Sequence, residues 1–312
     1  MKDNPLVSIL ISSFNRLNDL RENINRIKEI YYENYEVIVV DGCSTDGTVE
    51  FLKNINIKNF KIHILDKDYG SAYTHTFGMK QARGEIVICL DDDCFLSKNV
   101  VSETVRIFQK YENLGSIGFG LINPNTNYSE GLYNSKKIIK DEKYNITDSY
   151  EIKNYASSQA FRKKALKEVN YMDLNWSWGT NTEDLDLNYS IIAHGYNTIK
   201  IDEFISYHTV SPTNRNVDSY IINRVNGMLW IILKHFPLNV LIKYYVKFVC
   251  LCFYYSIINL NINYILGFIN SLKKTRHFLN NSKRIPNEII KKVLPPLGWY
   301  FSLPKKTKWF GE

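Results

Sequence analysis

The chain has 312 residues, a net charge of +7, 45% hydrophobic residues, 14% aromatic residues and 23% charged ones. That length allows one large α/β domain with an appendage, or two domains, and the apolar share excludes a disordered chain. The basic balance suits an anionic partner, whether nucleotide, acidic lipid surface or nucleic acid. The five cysteines, Cys43, Cys89, Cys94, Cys250 and Cys252, are odd in number and none is spaced as a zinc pair. They read as reduced thiols in a cytosolic compartment. Residues 1–5 lead straight into an apolar run and offer no signal-peptide core.

Residues 6–11 are apolar enough for a first buried strand, which ends at Ser12-Ser13-Phe14-Asn15-Arg16. Leu17, Leu20, Ile24, Ile27 and Ile30 then recur at the spacing of an amphipathic helix. Residues 35–40 read as the second strand, with the exit loop Asp41-Gly42-Cys43-Ser44-Thr45-Asp46-Gly47-Thr48, where Asp46 or Ser44 can cap a short helix. A third strand over 60–65 and a helix over 71–82 complete a β-α-β-α rhythm with short connections. This predicts a doubly wound, mostly parallel sheet with a ligand crevice at its carboxyl edge.

The run Ile86-Val87-Ile88-Cys89-Leu90 predicts a strand buried on both faces. It stops in Asp91, Asp92 and Asp93. Because strand side chains alternate, Asp91 and Asp93 are expected on the same side at the carboxyl end. Like charges held together call for a cation, and Mg²⁺ or Mn²⁺ suits such oxygen ligands. A solvated acidic turn is the alternative for these three acids taken alone.

A helix over 97–111 and a strand over 115–121 follow, then a polar segment over 123–154 that reads as an irregular acceptor-side insertion. After a strand over 156–161 comes Trp176-Ser177-Trp178-Gly179-Thr180-Asn181-Thr182-Glu183-Asp184-Leu185-Asp186-Leu187. Thr182 is placed to cap a helix carrying acids in its first turn, with Gly195 as its left-handed stop. Residues 197–201 predict a short strand, and Tyr207-His208 follow.

Beyond Tyr220 the chain becomes strongly apolar, and residues 248–272 carry no charge, long enough to cross a bilayer. Asn259, Asn261, Asn263 and Asn270 interrupt that stretch, and Lys273, Lys274, Arg276, Lys283, Arg284, Lys291 and Lys292 follow it. Amides are expensive in hydrocarbon, and a basic cluster favours an anionic leaflet. An interfacial helical hairpin on the inner face of the cell membrane is the first expectation, ahead of a packed subdomain or homodimer contact and of a transmembrane span. Nucleic-acid binding rests on net charge alone and is not expected.

Taken in order, these stretches resemble the family 2 glycosyltransferases of the GT-A fold. The resemblance runs over residues 5–210. It is carried by Val7-Ser8-Ile9-Leu10-Ile11-Ser12-Ser13-Phe14-Asn15-Arg16, Val39-Val40-Asp41, Ser44-Thr45-Asp46-Gly47-Thr48, Gly70, Gly78, Ala82-Arg83-Gly84 and Leu90-Asp91-Asp92-Asp93. Trp178-Gly179 and Glu183-Asp184-Leu185-Asp186-Leu187 complete the set. It implies a GT-A catalytic region over 1–220 and inverting transfer from a UDP-, GDP- or dTDP-sugar to a glycan or lipid-linked acceptor; the apolar and basic stretch beyond it marks 221–312 as a helical C-terminal region. The resemblance implies donor contacts at Ser12, Phe14, Asn15, Arg16, Asp41, Gly70, Asp91 and Asp92. It puts the metal on Asp91, Asp93 and His208, the base at Asp184 with Glu183 as its neighbour, and the acceptor beside Trp178 and Gly179. Trp176 is a second aromatic that a sugar face could use, although bulky aromatics are as often core. His75-Thr76 departs from the family's usual Arg-Asn, which leaves the diphosphate contacts open. The competing readings are an inactive nucleotide-sugar-binding or membrane scaffold protein, and a nucleotidyltransferase. The latter would need a glycine-rich basic loop that residues 12–16 lack.

Overall fold

The computed structural model describes residues 3–124, 129–130, 137–140, 145–148, 158–176, 182–209 and 216–293. In chain order the elements are β1 (Val7–Ser13), α1 (Leu17–Ile27), β2 (Tyr35–Asp41), α2 (Thr48–Lys53), β3 (Phe60–Ile64), α3 (Ser71–Gln81), β4 (Ile86–Asp91), β5 (Cys94–Leu96), α4 (Val100–Lys110) and β6 (Leu114–Ile122). They continue with β7 (Ser129–Glu130), β8 (Lys137–Lys140), β9 (Asn145–Asp148), β10 (Ser158–Arg162), α5 (Lys163–Glu168), α6 (Thr182–Ala193) and β11 (Asn197–His208). Five further helices close the described chain: α7 (Val217–His235), α8 (Leu238–Ile258), α9 (Asn263–Leu272), α10 (Thr275–Asn280) and α11 (Asn287–Val293).

One sheet runs β3-β2-β1-β4-β10-β6-β11-β9-β8, with β5 paired to β11 and β7 to β6. Its first four strands are parallel, as the alternation with helices requires. Period-two alternation sorts the two cores. Val7, Ile9, Ile11, Val37, Val39, Ile86, Ile88 and Leu90 pack with α1 and α4, whereas Leu10, Ile38, Val40, Val87 and Cys89 pack with α3, α6 and the C-terminal helices.

Beyond β4 the sheet becomes mixed. β10 enters antiparallel between β4 and β6, and β6 then pairs parallel with β11. Apolar spacing shows that a strand is buried but carries no information on its direction, so this inversion is visible only in the fold. β11 is also far longer than the predicted 197–201, because it crosses β6 with a register break after Ile201 and then pairs with β5. The segment over 123–154, expected to be irregular, contributes β7, β8 and β9 where it is described.

At the amino edge Glu36 ties β1, β2 and β4 together. Ser8 Oγ donates to it at 2.7 Å, Arg83 N at 2.7 Å, Arg83 Nε at 2.9 Å, and Lys61 Nζ lies 3.0 Å away. Ser8 Oγ accepts in turn from Gly84 N at 2.8 Å. Burial alone would lift the Glu36 carboxyl, but these donors hold it at about 2, against an ordinary 4.5. Each pKa unit is worth about 1.4 kcal/mol, and solvent screening through Arg83 and Lys61 reduces the whole to on the order of 2 kcal/mol. A depressed folded-state pKa stabilises above the unfolded value and is lost as pH falls through the folded one. Glu36→Gln is therefore expected to lower the unfolding free energy at neutral pH by about 2 kcal/mol and to remove that part of the acid sensitivity between the two pKa values, read by denaturant midpoints across pH.

Candidate active site

The carboxyl ends of β1, β2 and β4 meet at one edge of the sheet, the candidate cleft, among loops whose backbones are held in uncommon conformations. Asn15 and Cys43 have φ of 53° and 71°, and Gly70 has φ of 87°. Such conformations outside glycine persist only where the surroundings fix them. Here Asn15 N donates to Ser44 Oγ at 2.8 Å and Asn15 Oδ1 accepts from Thr45 N at 2.7 Å, locking the two loops together. Asp41 is fully buried and closes its own turn, accepting from Ser44 N at 2.8 Å and Ser44 Oγ at 2.6 Å. Burial raises its carboxyl above the ordinary range in spite of those bonds. Gly70 starts α3, where its φ suits a residue without Cβ, and its carbonyl accepts from Thr74 N at 3.1 Å. Ser12 stands in register with Asp91 on the neighbouring strand.

The acidic turn is held from below by α1. Asn23, fully buried, donates its amide to the carbonyls of Cys94 at 2.6 Å and Asp91 at 3.2 Å. From the loop above, Arg16 Nη1 lies 3.0 Å from both Asp92 Oδ1 and Asp93 Oδ2, and Phe14 N donates to Asp92 Oδ2 at 3.3 Å. Burial works against the Arg16 charge, but Asp92, Asp93 and Asp91 outweigh it and hold the guanidinium protonated. Burial lifts Asp92 to about 7, with Arg16 opposing and the other two acids adding to the rise.

Strand alternation ends at Asp91, and the three acids diverge. Asp91, at 37% side-chain exposure, faces α3, with His75 Nε2 at 3.8 Å from its Oδ1. The His75 ring is oriented by Nδ1–H donating to the Ser71 carbonyl at 3.0 Å. Asp93, almost fully buried, faces β11 instead, with His208 Nε2 at 3.5 Å from its Oδ1. The described residues that bring metal-ligating atoms within 4.8 Å of one another are Asp93, Cys94 and His208; Asp91 is not in this group. Carboxylate, imidazole and thiol are all competent donors for a divalent ion.

Asp184 reaches the same cleft from the first turn of α6. Gln159 Nε2 on β10 donates to its Oδ1 at 3.3 Å. Gln159 is itself held by Asn188 Nδ2 at 3.0 Å, and Asn188 Oδ1 accepts from Ser116 Oγ at 2.6 Å. Burial, then the charges of Glu183 and Asp91, raise the Asp184 carboxyl well above the ordinary range, so the two distant acidic clusters sense each other. Glu183 Oε1 accepts from Ser71 Oγ at 2.9 Å, joining α6 to the start of α3. Asp186 points away from the cleft to Lys234 Nζ at 2.8 Å and His235 Nε2 at 2.7 Å on α7. Trp176 is a core side chain, donating to Thr182 Oγ1 at 2.7 Å and packed edge-on to Trp230 and Phe278. Trp178 and Gly179 lie outside the described residues. No motif in the sequence marks Asn23, Gln159, Asn188 or Cys94 as a site residue. Of these, only an amide on the apolar face of α1, Asn23, left a signal in the spacing.

The family described as Glycosyl transferase family 2 matches residues 8–169, just over half of the chain. The chain belongs to glycosyl transferase family 2. Poly-beta-1,6-N-acetyl-D-glucosamine synthase of Staphylococcus epidermidis is 23% identical over 198 residues, 61% of this chain and 46% of that protein. The chain thus spans less than half the length of that curated relative. Among solved structures, S. aureus TarS 1-349 in complex with UDP-GlcNAc has a TM-score of 0.62 at 15% identity, over 95% of this chain and 87% of that one. The mannosyltransferase PcManGT from Pyrobaculum calidifontis, in complex with GDP-Man and Mn²⁺, has a TM-score of 0.54 at 18% identity, over 72% and 62%. At those identities the likeness is one of fold, and the fold is GT-A.

Gln159 provides a direct handle on Asp184. Its amide is the hydrogen bond that lowers this carboxyl against burial and charge. Gln159→Leu is expected to push the Asp184 titration further up in pH, followed by carboxyl-region NMR, and to cost on the order of 1 kcal/mol through the Asn188 amide, which loses one of its two acceptors and keeps the Asp184 carbonyl at 2.9 Å. An unmoved or lowered titration would contradict the assignment of this bond.

Proposed function

We propose that the chain is an inverting glycosyltransferase that moves a sugar from a UDP-, GDP- or dTDP-sugar to a hydroxyl of a glycan or lipid-linked acceptor, in synthesis of a cell-surface polysaccharide or glycolipid. The observation that carries this reading is Asp184, held by Gln159 at 3.3 Å and raised by burial, Glu183 and Asp91, at the sheet edge that also presents Asp93 and His208. The relative and the fold neighbours, a polysaccharide synthase and two proteins bound to nucleotide-sugars, support the same substrate class.

In this reading Ser12, Phe14, Asn15 and Asp41 shape the pocket for base and ribose, and Asp92 is the further ribose contact. Arg16 and the start of α3 at Gly70 face the diphosphate. His75, aimed at Asp91, occupies the place where a second positive group is expected. Asp93 and His208 would hold a divalent ion such as Mn²⁺, while Asp91 is turned toward α3. Such an ion, when bound, neutralises charge on the departing diphosphate. Asp184 takes the proton of the attacking hydroxyl, and a carboxyl with a raised pKa is the stronger base for that task. Glu183 fixes the first turn of α6 on α3, and Trp178 and Gly179 border the acceptor.

Asp184→Asn keeps the shape and removes the base. Transfer is expected to fall by at least ~10²-fold with circular dichroism unchanged. In the wild type, activity should rise with pH through an inflection above the ordinary carboxylate range, because a base with a raised pKa stays protonated over more of the acid side. An Asp184→Asn protein with wild-type turnover ends this mechanism.

The C-terminal helices support a location at the membrane surface. α7 is buried in the core, and α8 turns Phe248, Cys252 and Ser256 inward. The opposite face exposes Ile242, Val246, Phe253, Tyr254 and Ile257, with Lys243 and Lys247 beside it. α8 is also long and apolar enough to cross a membrane by length and composition. The four-residue spacing of its buried side and the flanking lysines favour a helix lying on the inner face of the cell membrane, where a lipid-linked acceptor would meet the cleft. The full chain is expected to float with vesicles containing anionic lipid, less so at high salt, and an Ile242→Glu, Ile257→Glu variant is expected to stay below. Concentration-dependent dimerisation without flotation would assign the face to a second copy instead.

A further inference from the structure

A sulfur atom shares the pocket of Asp93 and His208. Cys94 is fully buried, and its Sγ lies 3.9 Å from Asp93 Oδ1, the same oxygen that His208 Nε2 approaches at 3.5 Å. The three ligand atoms fall within 4.8 Å of one another.

The fold builds this meeting point rigidly. β5 pairs antiparallel with β11, and Cys94 stands directly opposite His208 in the ladder. Directly opposed residues of an antiparallel pair project from the same face, so thiol and imidazole are brought together by backbone register. Asp93 is fastened to the same ribbon, its carbonyl accepting from Thr209 N at 3.1 Å. Arg16 engages Oδ2 of Asp93 at 3.0 Å, whereas sulfur and imidazole approach Oδ1.

Bonds of about 2.0–2.3 Å from one ion to nitrogen, oxygen and sulfur place the ligand atoms roughly 3–4 Å apart, and the separations of 3.5 and 3.9 Å from Asp93 Oδ1 fall in that range. Carboxylates suit Mg²⁺ and Mn²⁺, whereas a thiolate is a poor ligand for Mg²⁺ and a good one for Zn²⁺ and Co²⁺. We propose that Cys94 is a third protein ligand of the metal centre, which thereby discriminates against Mg²⁺ and binds zinc-class ions through sulfur, nitrogen and oxygen. This rests on the reading of Asp93 and His208 as metal-holding residues.

The test uses the full chain, reduced and freed of metal by a chelator, with Co²⁺ as the probe. One Co²⁺ per chain is expected to give a sulfur-to-cobalt charge-transfer band in the near ultraviolet, absent in Cys94→Ser. Losing an outer-shell partner commonly weakens metal binding by 10–100-fold, so losing a ligand should weaken Zn²⁺ relative to Mn²⁺ by at least ~10-fold. Cys94→Asp, a second variant with an oxygen donor at the same position, should lose the band yet gain affinity for Mg²⁺. Co²⁺ binding that requires Asp93 and His208 but shows no sulfur band, or a band that survives Cys94→Ser, overturns the role of Cys94 and leaves the pair intact. Co²⁺ binding indifferent to Asp93→Asn and His208→Ala overturns both.

Discussion

A guanidinium buried against two carboxylates sets the conditions under which the cleft exists. Three acids in succession at the end of a buried strand repel one another, and burial multiplies the cost. Arg16 answers that cost at 3.0 Å from both Asp92 and Asp93, while Asn23 pins the turn's carbonyls from the opposite side. Where this compensation is incomplete the carboxyl rises, as Asp92 does to about 7. The turn is therefore a loaded anionic site with one cation already built in, and its outer oxygens meet histidines, Asp91 that of α3 and Asp93 that of β11.

The second acidic cluster is anchored by a different logic. Residues 183, 184 and 186 stand in the same two turns of α6, yet their carboxylates have three separate surroundings. Glu183 bonds to α3, Asp184 enters the cleft, and Asp186 is clasped by Lys234 and His235 of α7. Burial would lift Asp186 as it lifts Asp184, but the Lys234 charge and the His235 bond hold it low. Lys234 also reaches Asp173 at 3.4 Å, which His277 approaches at 3.1 Å. The helix that presents Asp184 is thus fastened on its far side to the C-terminal helices, so residues beyond 221 help position the cleft as well as offering an outer face.

Much of this was legible in the sequence because it is local. Alternation in residues 86–90, the three-to-four spacing of α1, Gly195 as a left-handed stop with φ of 88°, and the acids at strand and helix ends are all set by chain geometry. What escaped is non-local. The direction of β10 decides that Gln159 faces Asp184, and the pairing of β5 with β11 decides that Cys94 faces His208. Neither register leaves a periodic trace. Trp176 was open to a sugar-stacking role on chemistry alone, and only the packing of Trp230 and Phe278 around it makes it core.

The inversion at β10 explains why the cleft can be two-sided at all. In a purely parallel sheet every strand would deliver its loop to the carboxyl edge, and the helix after β4 would cover the next strand in turn. Inserting β10 antiparallel places Ser158 opposite Leu90 and Gln159 opposite Cys89, so the strand begins at the edge where β4 ends. Its first residues stand beside the acidic turn, and its last lead away into α5. The chain then returns to that edge through α6, whose amino end faces the acids while its first-turn carboxylates complement the helix dipole. A carboxylate at a helix start would normally be stabilised in its charged form; here desolvation and the neighbouring charges of Glu183 and Asp91 override the dipole. Opposing a helix terminus to a strand terminus across β10 is what turns two ordinary local preferences, acids after strands and acids before helices, into one coupled site.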